Sequence, residues 1–276
     1  RTRAQTPMAL ARQDRYPKAD LLRSMEILRS PEGCPWDRAQ THESTRANFI
    51  EETYEAIEAI DTHDQPLLQE ELGDVLLQVV LHCQIEKEAG GFDFADVVNG
   101  VAQKLVYRHP HVFGSSAAGN EEEALKNWDA AKKASKHQET TTDVLKSVSR
   151  ALPALMRSEK VQKKAAKAGF DWPDAQGAMD KVEEELAEVR AAAAAGNAEA
   201  CMEEAGDLLF AAVNVSRFVH AEPEEALTRA CDKFIRRFEK VEQAAIAQGL
   251  DMQSASLEEL DALWDAVKNQ EKKEQA

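Results

Sequence analysis

A run of acidic residues occurs twice in this chain at one fixed offset. Glu51-Glu52-x-x-Glu55 is followed by Glu70-Glu71-x-Gly73-Asp74-Val-Leu-Leu, and Glu184-Glu185-x-x-Glu188 by Glu203-Glu204-x-Gly206-Asp207-Leu-Leu-Phe. Glu52, Glu55, Glu71 and Asp74 recur 133 residues later as Glu185, Glu188, Glu204 and Asp207. The flanks follow with small shifts. Lys104-x-x-x-Arg108 answers Lys233-x-x-x-Arg237, and Trp128-Asp-Ala-Ala-Lys132 answers Trp264-Asp-Ala-Val-Lys268. So many matches in order mark a duplicated module, and 276 residues are enough for two such cores.

Each module reads as helical. Gly (12) and Pro (9) are sparse, no alternating β-branched pattern stands out, and Ala, Glu, Leu and Lys dominate. The spacing predicts helices over 19–29, 44–62, 67–89, 93–107 and 121–135, then over 152–168, 178–195, 198–219, 223–247 and 256–272. The expected fold is all-α, two tandem repeated helical bundles. The first module spans 15–135, a polar segment without apolar periodicity at 136–142 is the linker, and the second module spans 143–276.

Charge narrows the function. The formal net charge of −16 opposes a nucleic-acid partner, because the phosphate backbone repels it. It leaves room for a small anionic substrate held by metal and local cations. No apolar stretch is long enough for a membrane span, and the basic first ten residues lack the apolar core of a secretory signal. Cys34, Cys83, Cys201 and Cys231 show no Cys-x-x-Cys spacing, which fits reduced thiols in a cytoplasmic protein.

On a helical wheel of about 100° per residue, Glu52 and Glu55 share a face with Phe49, Ala56 and Ala59. Glu71 and Asp74 precede Val75-Leu-Leu-Gln-Val-Val-Leu81, which is apolar on nearly every side, so this helix is expected to be buried. Carboxylates one turn apart at a buried helix repel each other and lose hydration unless something neutralises them. A divalent cation does so, and magnesium takes hard oxygen ligands while leaving positions for water and phosphates. The expected ligands are Glu52, Glu55, Glu71 and Asp74 in one module and Glu185, Glu188, Glu204 and Asp207 in the other. Di-iron chemistry needs Glu-x-x-His on facing helices, and no Glu here has His three residues on. No Gly-x-x-x-x-Gly-Lys-Ser/Thr loop is present either.

Gly33-Cys-Pro-Trp-Asp37, Glu51-Glu-Thr-Tyr-Glu55, Glu71-Leu-Gly-Asp74, Arg108-His-Pro-His-Val-Phe113, Gly169-Phe-Asp-Trp172 and Lys233-Phe-Ile-Arg-Arg-Phe238 occur in this order. From about Leu21 to Lys268 the chain resembles the MazG nucleoside triphosphate pyrophosphohydrolases. The resemblance implies an all-α NTP pyrophosphatase fold, a homodimer, and Mg²⁺ as cofactor with Mn²⁺ able to substitute. It also implies cleavage of a nucleoside triphosphate between the α and β phosphates, in nucleotide-pool house-cleaning or regulation. Carried over residue by residue, Lys181, Lys233, Arg236, Arg237, Trp264 and Lys268 meet the substrate in the second module. Lys104, Arg108, Trp128 and Lys132 take those roles in the first, and Glu184 is the candidate for orienting or deprotonating the attacking water.

Two departures stand out. Asn48 occupies the position that matches Lys181, and Ala200-Cys-Met-Glu203 lacks a lysine that the family often has there. Asn48 weakens the phosphate grip of the first module, whereas the missing lysine counts against part of the second site; the second module is expected to be the main catalytic one. The alternative is a catalytically weak nucleotide- or metal-sensing module acting through protein partners. His109-Pro110-His111 reads as a structural or phosphate-adjacent turn. Trp36 and Trp172 are expected to pack helix entries rather than to stack on a base.

Overall fold

The structure is a computed structural model that describes residues 10, 12–135 and 139–274. The chain divides into two compact units between Lys132 and Lys133. The described residues form helices and no strand. The fold is all-α, with a helical-bundle module in each unit.

The first unit contains α1 (Lys18–Arg29), α2 (Pro35–Ala39), α3 (Arg46–Asp61), α4 (Gln65–Glu88), α5 (Phe94–Arg108), α6 (Pro110–Phe113) and α7 (Glu121–Ser135), the last of which runs across the division. Its centre is the α3–α4 hairpin, with α1 and α5 against α4. Met25, Val80 and Leu81 form the core, and Leu21, Leu22, Leu77, Ile85 and Phe94 pack around them. Arg29, almost wholly buried, pairs with Glu88 at 2.8 Å and donates to the carbonyl oxygen of Gln40 at 3.2 Å, tying α1 to the end of α4 and the α2 turn.

The second unit contains α8 (Thr141–Lys146), α9 (Ala154–Lys167), α10 (Ala175–Ala195), α11 (Ala198–Phe218), α12 (Pro223–Ala247) and α13 (Leu257–Glu274). Here α10 pairs with α11, α9 lies on α11, and α12 pairs with α13 over a core of Val241, Ala245, Leu263 and Val267.

The two hairpins are built alike. Asp64 caps α4 by accepting from the Leu67 amide, and Asn197 caps α11 by accepting from the Glu199 and Ala200 amides. The residue before each cap is left-handed, His63 with φ 57° and Gly196 with φ 66°. Both pairs keep the offset of 133 found for the carboxylates. A left-handed glycine is unstrained, whereas a histidine there carries the Cβ penalty.

The ten long helices fall where the sequence predicts them, with ends shifted by a few residues. Three short ones were not predicted. α2 and α6 each begin on a proline, and α8 begins at Thr141 behind a Thr140/Asp143 capping box. Residues 141 and 142 of the expected linker are therefore helical, while 136–138 lie outside the described residues. The expectation that α4 is buried holds on one side only. Glu71, Gln78, Val80, Leu81 and Cys83 are buried, but Leu72 and Leu76 are exposed. No described helix is long and apolar enough to cross a membrane.

Candidate functional site

The α3–α4 hairpin places Glu52 and Glu55 one turn apart, with Glu71 opposite. One oxygen from each lies within 4.8 Å of the other two. Glu71 is buried, Glu52 half-buried and Glu55 exposed. Burial pushes the Glu71 carboxyl above the usual range, and repulsion from Glu55, Asp74, Glu70 and Glu52 adds to it. Burial likewise raises Glu52, followed by the charges of Asp74, Glu55 and Glu51. The Asp74 charge thus acts on both glutamates without Asp74 joining their group.

The α10–α11 hairpin repeats the arrangement with Glu185, Glu188 and Glu204, again within 4.8 Å. Asp207 lies outside this group and is exposed. The difference is a built-in cation. Lys181 places Nζ 2.5 Å from Glu185 Oε1 and 3.0 Å from Glu184 Oε1. Its hydrogen bond holds the Glu185 carboxyl below the usual range, against the opposing effect of burial. Contact with Glu185 pushes Glu188 up, helped by burial and the Glu204 charge. The two carboxylates in turn raise the lysine, Glu185 most strongly. Oε2 of Glu185 is buried without a hydrogen-bond partner.

Three converging carboxylates in each hairpin, joined in the second by an orphaned buried oxygen of Glu185, are the donor set of a hard divalent cation. Both triads can hold one.

The expected phosphate-binding residues form separate groups. On α12, Lys233 and Arg236 line a cleft of about 330 Å³ together with Arg229, which is paired with Glu225. Arg237 donates to Glu271 Oε2 at 2.7 Å, and its guanidinium carbon stands 6.0 Å from the Trp264 ring centre. Lys240 reaches the other Glu271 oxygen at 3.3 Å, and Lys268 lies 3.6 Å from Asp265. The first unit repeats the guanidinium–indole pair, with Arg108 5.5 Å from Trp128 and Lys132 Nζ 4.4 Å from the same ring. Lys104 is exposed on α5, one turn before Arg108. Within the second unit α12 packs chiefly with α13 and touches α9 and α11, while the triad beside Lys181 lies on the α10–α11 hairpin.

Other expected positions resolve simply. Glu184 is exposed and held by Lys181. His109 Nδ1 bonds the Leu105 carbonyl oxygen at 2.7 Å and Pro110 starts α6, so the His-Pro-His segment is a helix-to-helix turn. Sequence reasoning missed Glu271, Arg229 and a stacked pair, His42 and His82, whose Nδ1 atoms lie 2.6 Å apart while His42 Nε2 meets Glu86 at 2.9 Å. Arg229 was legible, four residues before Lys233 on one helical face. Forty residues separate the histidines, and no local pattern links them.

Carboxylate triads on two tandem helical hairpins are the candidate metal sites of a duplicated all-α protein. Residues 40–113 and 174–242 match the MazG nucleotide pyrophosphohydrolase domain. The chain is 44% identical over 249 residues to the nucleoside triphosphate pyrophosphohydrolase/pyrophosphatase MazG of Thermotoga maritima, covering 90% of this chain and 94% of that one. It is also 44% identical over 254 residues to the nucleoside triphosphate pyrophosphohydrolase of Escherichia coli K12, at 91% and 97% coverage. The uncharacterized protein YabN of Bacillus subtilis is 47% identical over 247 residues, which are 89% of this chain and 50% of that protein. The chain belongs to the MazG family, and it is a pyrophosphohydrolase.

Proposed function

We propose that the protein hydrolyses nucleoside triphosphates, ribo or deoxy, between the α and β phosphates to the monophosphate and pyrophosphate, with Mg²⁺ as cofactor. The supporting observation is the triad of Glu185, Glu188 and Glu204 with Lys181 placed on it. Glu52, Glu55 and Glu71 are the corresponding ligands of the first unit, and Asp74 and Asp207 complete each set from one turn away. These residues would hold Mg²⁺, which would supply positive charge against the triphosphate and against the charge that builds on its phosphate oxygens.

The chain's own residues supply the rest. Lys181 leaves its carboxylate partners to meet phosphate, and Lys233, Arg236, Arg237 and Lys268 offer further positive charge. Glu184, freed when Lys181 turns to the substrate, orients water or accepts its proton. Asn48 leaves the first unit without the equivalent cation, so the second unit carries most of the turnover.

Exposed Ile57, Ile60, Leu72 and Leu76 in one unit, and Met202, Leu209 and Phe210 in the other, favour a second copy that covers these faces in a homodimer. The site of action in this reading is the cytoplasmic nucleotide pool.

³¹P NMR of GTP and dUTP with the protein, with Mg²⁺ and then with EDTA, tests the reading. Monophosphate and pyrophosphate appearing only with Mg²⁺ support it. Diphosphate with orthophosphate overturns attack at the α-phosphorus. Glu204→Gln and Glu71→Gln assign the activity to a unit, and loss is expected chiefly with Glu204→Gln.

A further inference from the structure

A nucleotide site needs a place for the base, and Trp264 is poorly free to provide it. Phe234 lies 5.2 Å from its ring centre, Arg237 stands over it, and the Val241–Ala245–Leu263–Val267 core packs against it. Trp172 sits differently.

After α9 the chain turns at Gly169, with φ 89°, and Asp171 is gripped by Arg217 of α11, whose Nη1 donates to Oδ2 at 3.0 Å. Asp171 Oδ1 also accepts from the Trp172 amide at 2.9 Å, and Asp174 caps α10 through the Gln176 and Gly177 amides. These contacts fix the loop and set the indole on Gly177. A Cβ at Gly177 would stand 2.9 Å from Trp172 Cε3 and 3.2 Å from Cδ2, so the ring lies this close because no side chain intervenes. Trp172 is still 43% exposed, and Phe170, two residues earlier in the same loop, is 85% exposed.

The seat and the acidic centre share one side of α10. At about 100° per residue, Gly177, Lys181, Glu184, Glu185 and Glu188 fall within a sector of about 100°. Gly177 precedes Glu185 by eight residues, about 12 Å along the axis. An anchored aromatic plane, a lysine and a carboxylate triad thus follow one another along a helix face. That is the order of base, phosphates and metal in a bound nucleotide.

We propose that Trp172 is the stacking surface for the substrate base, with Phe170 at its edge, and that the triphosphate runs from it past Lys181 to Glu185, Glu188 and Glu204. This rests on the nucleoside triphosphate reading above and adds where the base docks. Stacking uses the π-face that every base has, so the site accepts purines and pyrimidines alike. Asp171–Arg217 and Gly177 hold the indole before substrate arrives, which lowers the ordering cost of binding. The first unit has Ser44 where the second has Gly177, as well as Asn48 for Lys181, so it lacks both the seat and the cation.

Calorimetry in Mg²⁺ with guanosine α,β-methylene triphosphate, which resists α–β cleavage, and with inorganic tripolyphosphate tests the proposal on the intact chain. Trp172→Ala is expected to weaken the nucleotide analogue by roughly tenfold and to leave tripolyphosphate unchanged. Trp172→Phe retains most of the affinity. Gly177→Ala, which displaces the ring, weakens the analogue in the wild-type background but not in the Trp172→Ala background. Equal loss of tripolyphosphate makes Trp172 a structural residue and overturns the proposal. An analogue affinity unchanged by Trp172→Ala overturns it too, including the case in which a second copy of the chain covers the ring. Failure of the hydrolase reading shows elsewhere, as an absence of pyrophosphate from GTP while the binding contrast persists.

Discussion

Arg237 holds its guanidinium carbon 6.0 Å from the centre of the Trp264 ring, and the same relationship recurs between Arg108 and Trp128 at 5.5 Å. In the second unit the arginine is also pinned by Glu271, whose carboxyl it holds below the usual range with help from Lys240. The indole thus serves first as a support for a cation. A double-mutant cycle of Arg237→Met and Trp264→Leu, followed by thermal melting, should give a coupling of about 0.5–1 kcal/mol. Strictly additive losses would show that the two side chains do not interact in solution.

Metal binding and removal of a repelling carboxylate should move stability in ways that can be told apart. Without metal, Glu71→Gln removes a buried charge that Glu55, Asp74, Glu70 and Glu52 oppose, so the first unit's transition should rise in temperature. With Mg²⁺ the order reverses. The wild type gains about 2.7 kcal/mol at a hundredfold excess over its dissociation constant, and the variant loses that gain. Differential scanning calorimetry with EDTA and with Mg²⁺ reads both. A Glu71→Gln chain that melts lower in EDTA contradicts the expectation.

Acid should loosen the first unit through His82. Burial is the main cause that lowers its pKa from 6.5, and His42 adds to it. One Nδ1 of the pair donates and the other accepts, so both rings cannot be doubly protonated while the contact lasts. A base with a lowered folded pKa contributes stability that is present above 6.5 and is lost as pH falls toward the folded value. His82→Gln should flatten that decline in urea melts between about pH 7 and pH 5. An unchanged slope would place the effect on other groups.

The left-handed His63 offers a stabilising change. Gly196 fills the matching place in the second hairpin without strain. His63→Gly should relieve about 1 kcal/mol of Cβ crowding, less the extra flexibility glycine gives the unfolded chain. A denaturation midpoint in urea that moves upward by a few tenths molar, with unchanged slope, would agree. His63→Ala should bring no such gain.

Much of this was legible in the sequence because it lies within single helices. The Glu-x-x-Glu spacings, the position of Lys181 one turn before Glu185, and the Lys-x-x-x-Arg pairs are local, so periodicity alone sets them on one face. The convergence of Glu71 on Glu52 and Glu55 followed from the short hairpin. What stayed hidden joins distant segments. Glu271 reaches Arg237 across two helices, Arg217 grips Asp171 across α10, and His42 meets His82 across forty residues. For Trp172 the local sequence suggests helix packing, which is half of its setting. Its contact with Gly177 is such packing, but its remaining exposure emerges only in the folded loop.

The built-in lysine also bears on how the chain comes into being. A ribosome makes the first unit before the second. The earlier half must bring Glu52, Glu55 and Glu71 together with Asn48 where a cation would help, whereas the later half brings Lys181 with its acids. Closing α4 on α3 therefore gathers like charge without a lysine in that place. The later hairpin closes with its own counter-charge, so the same fold is assembled twice against unequal electrostatic resistance.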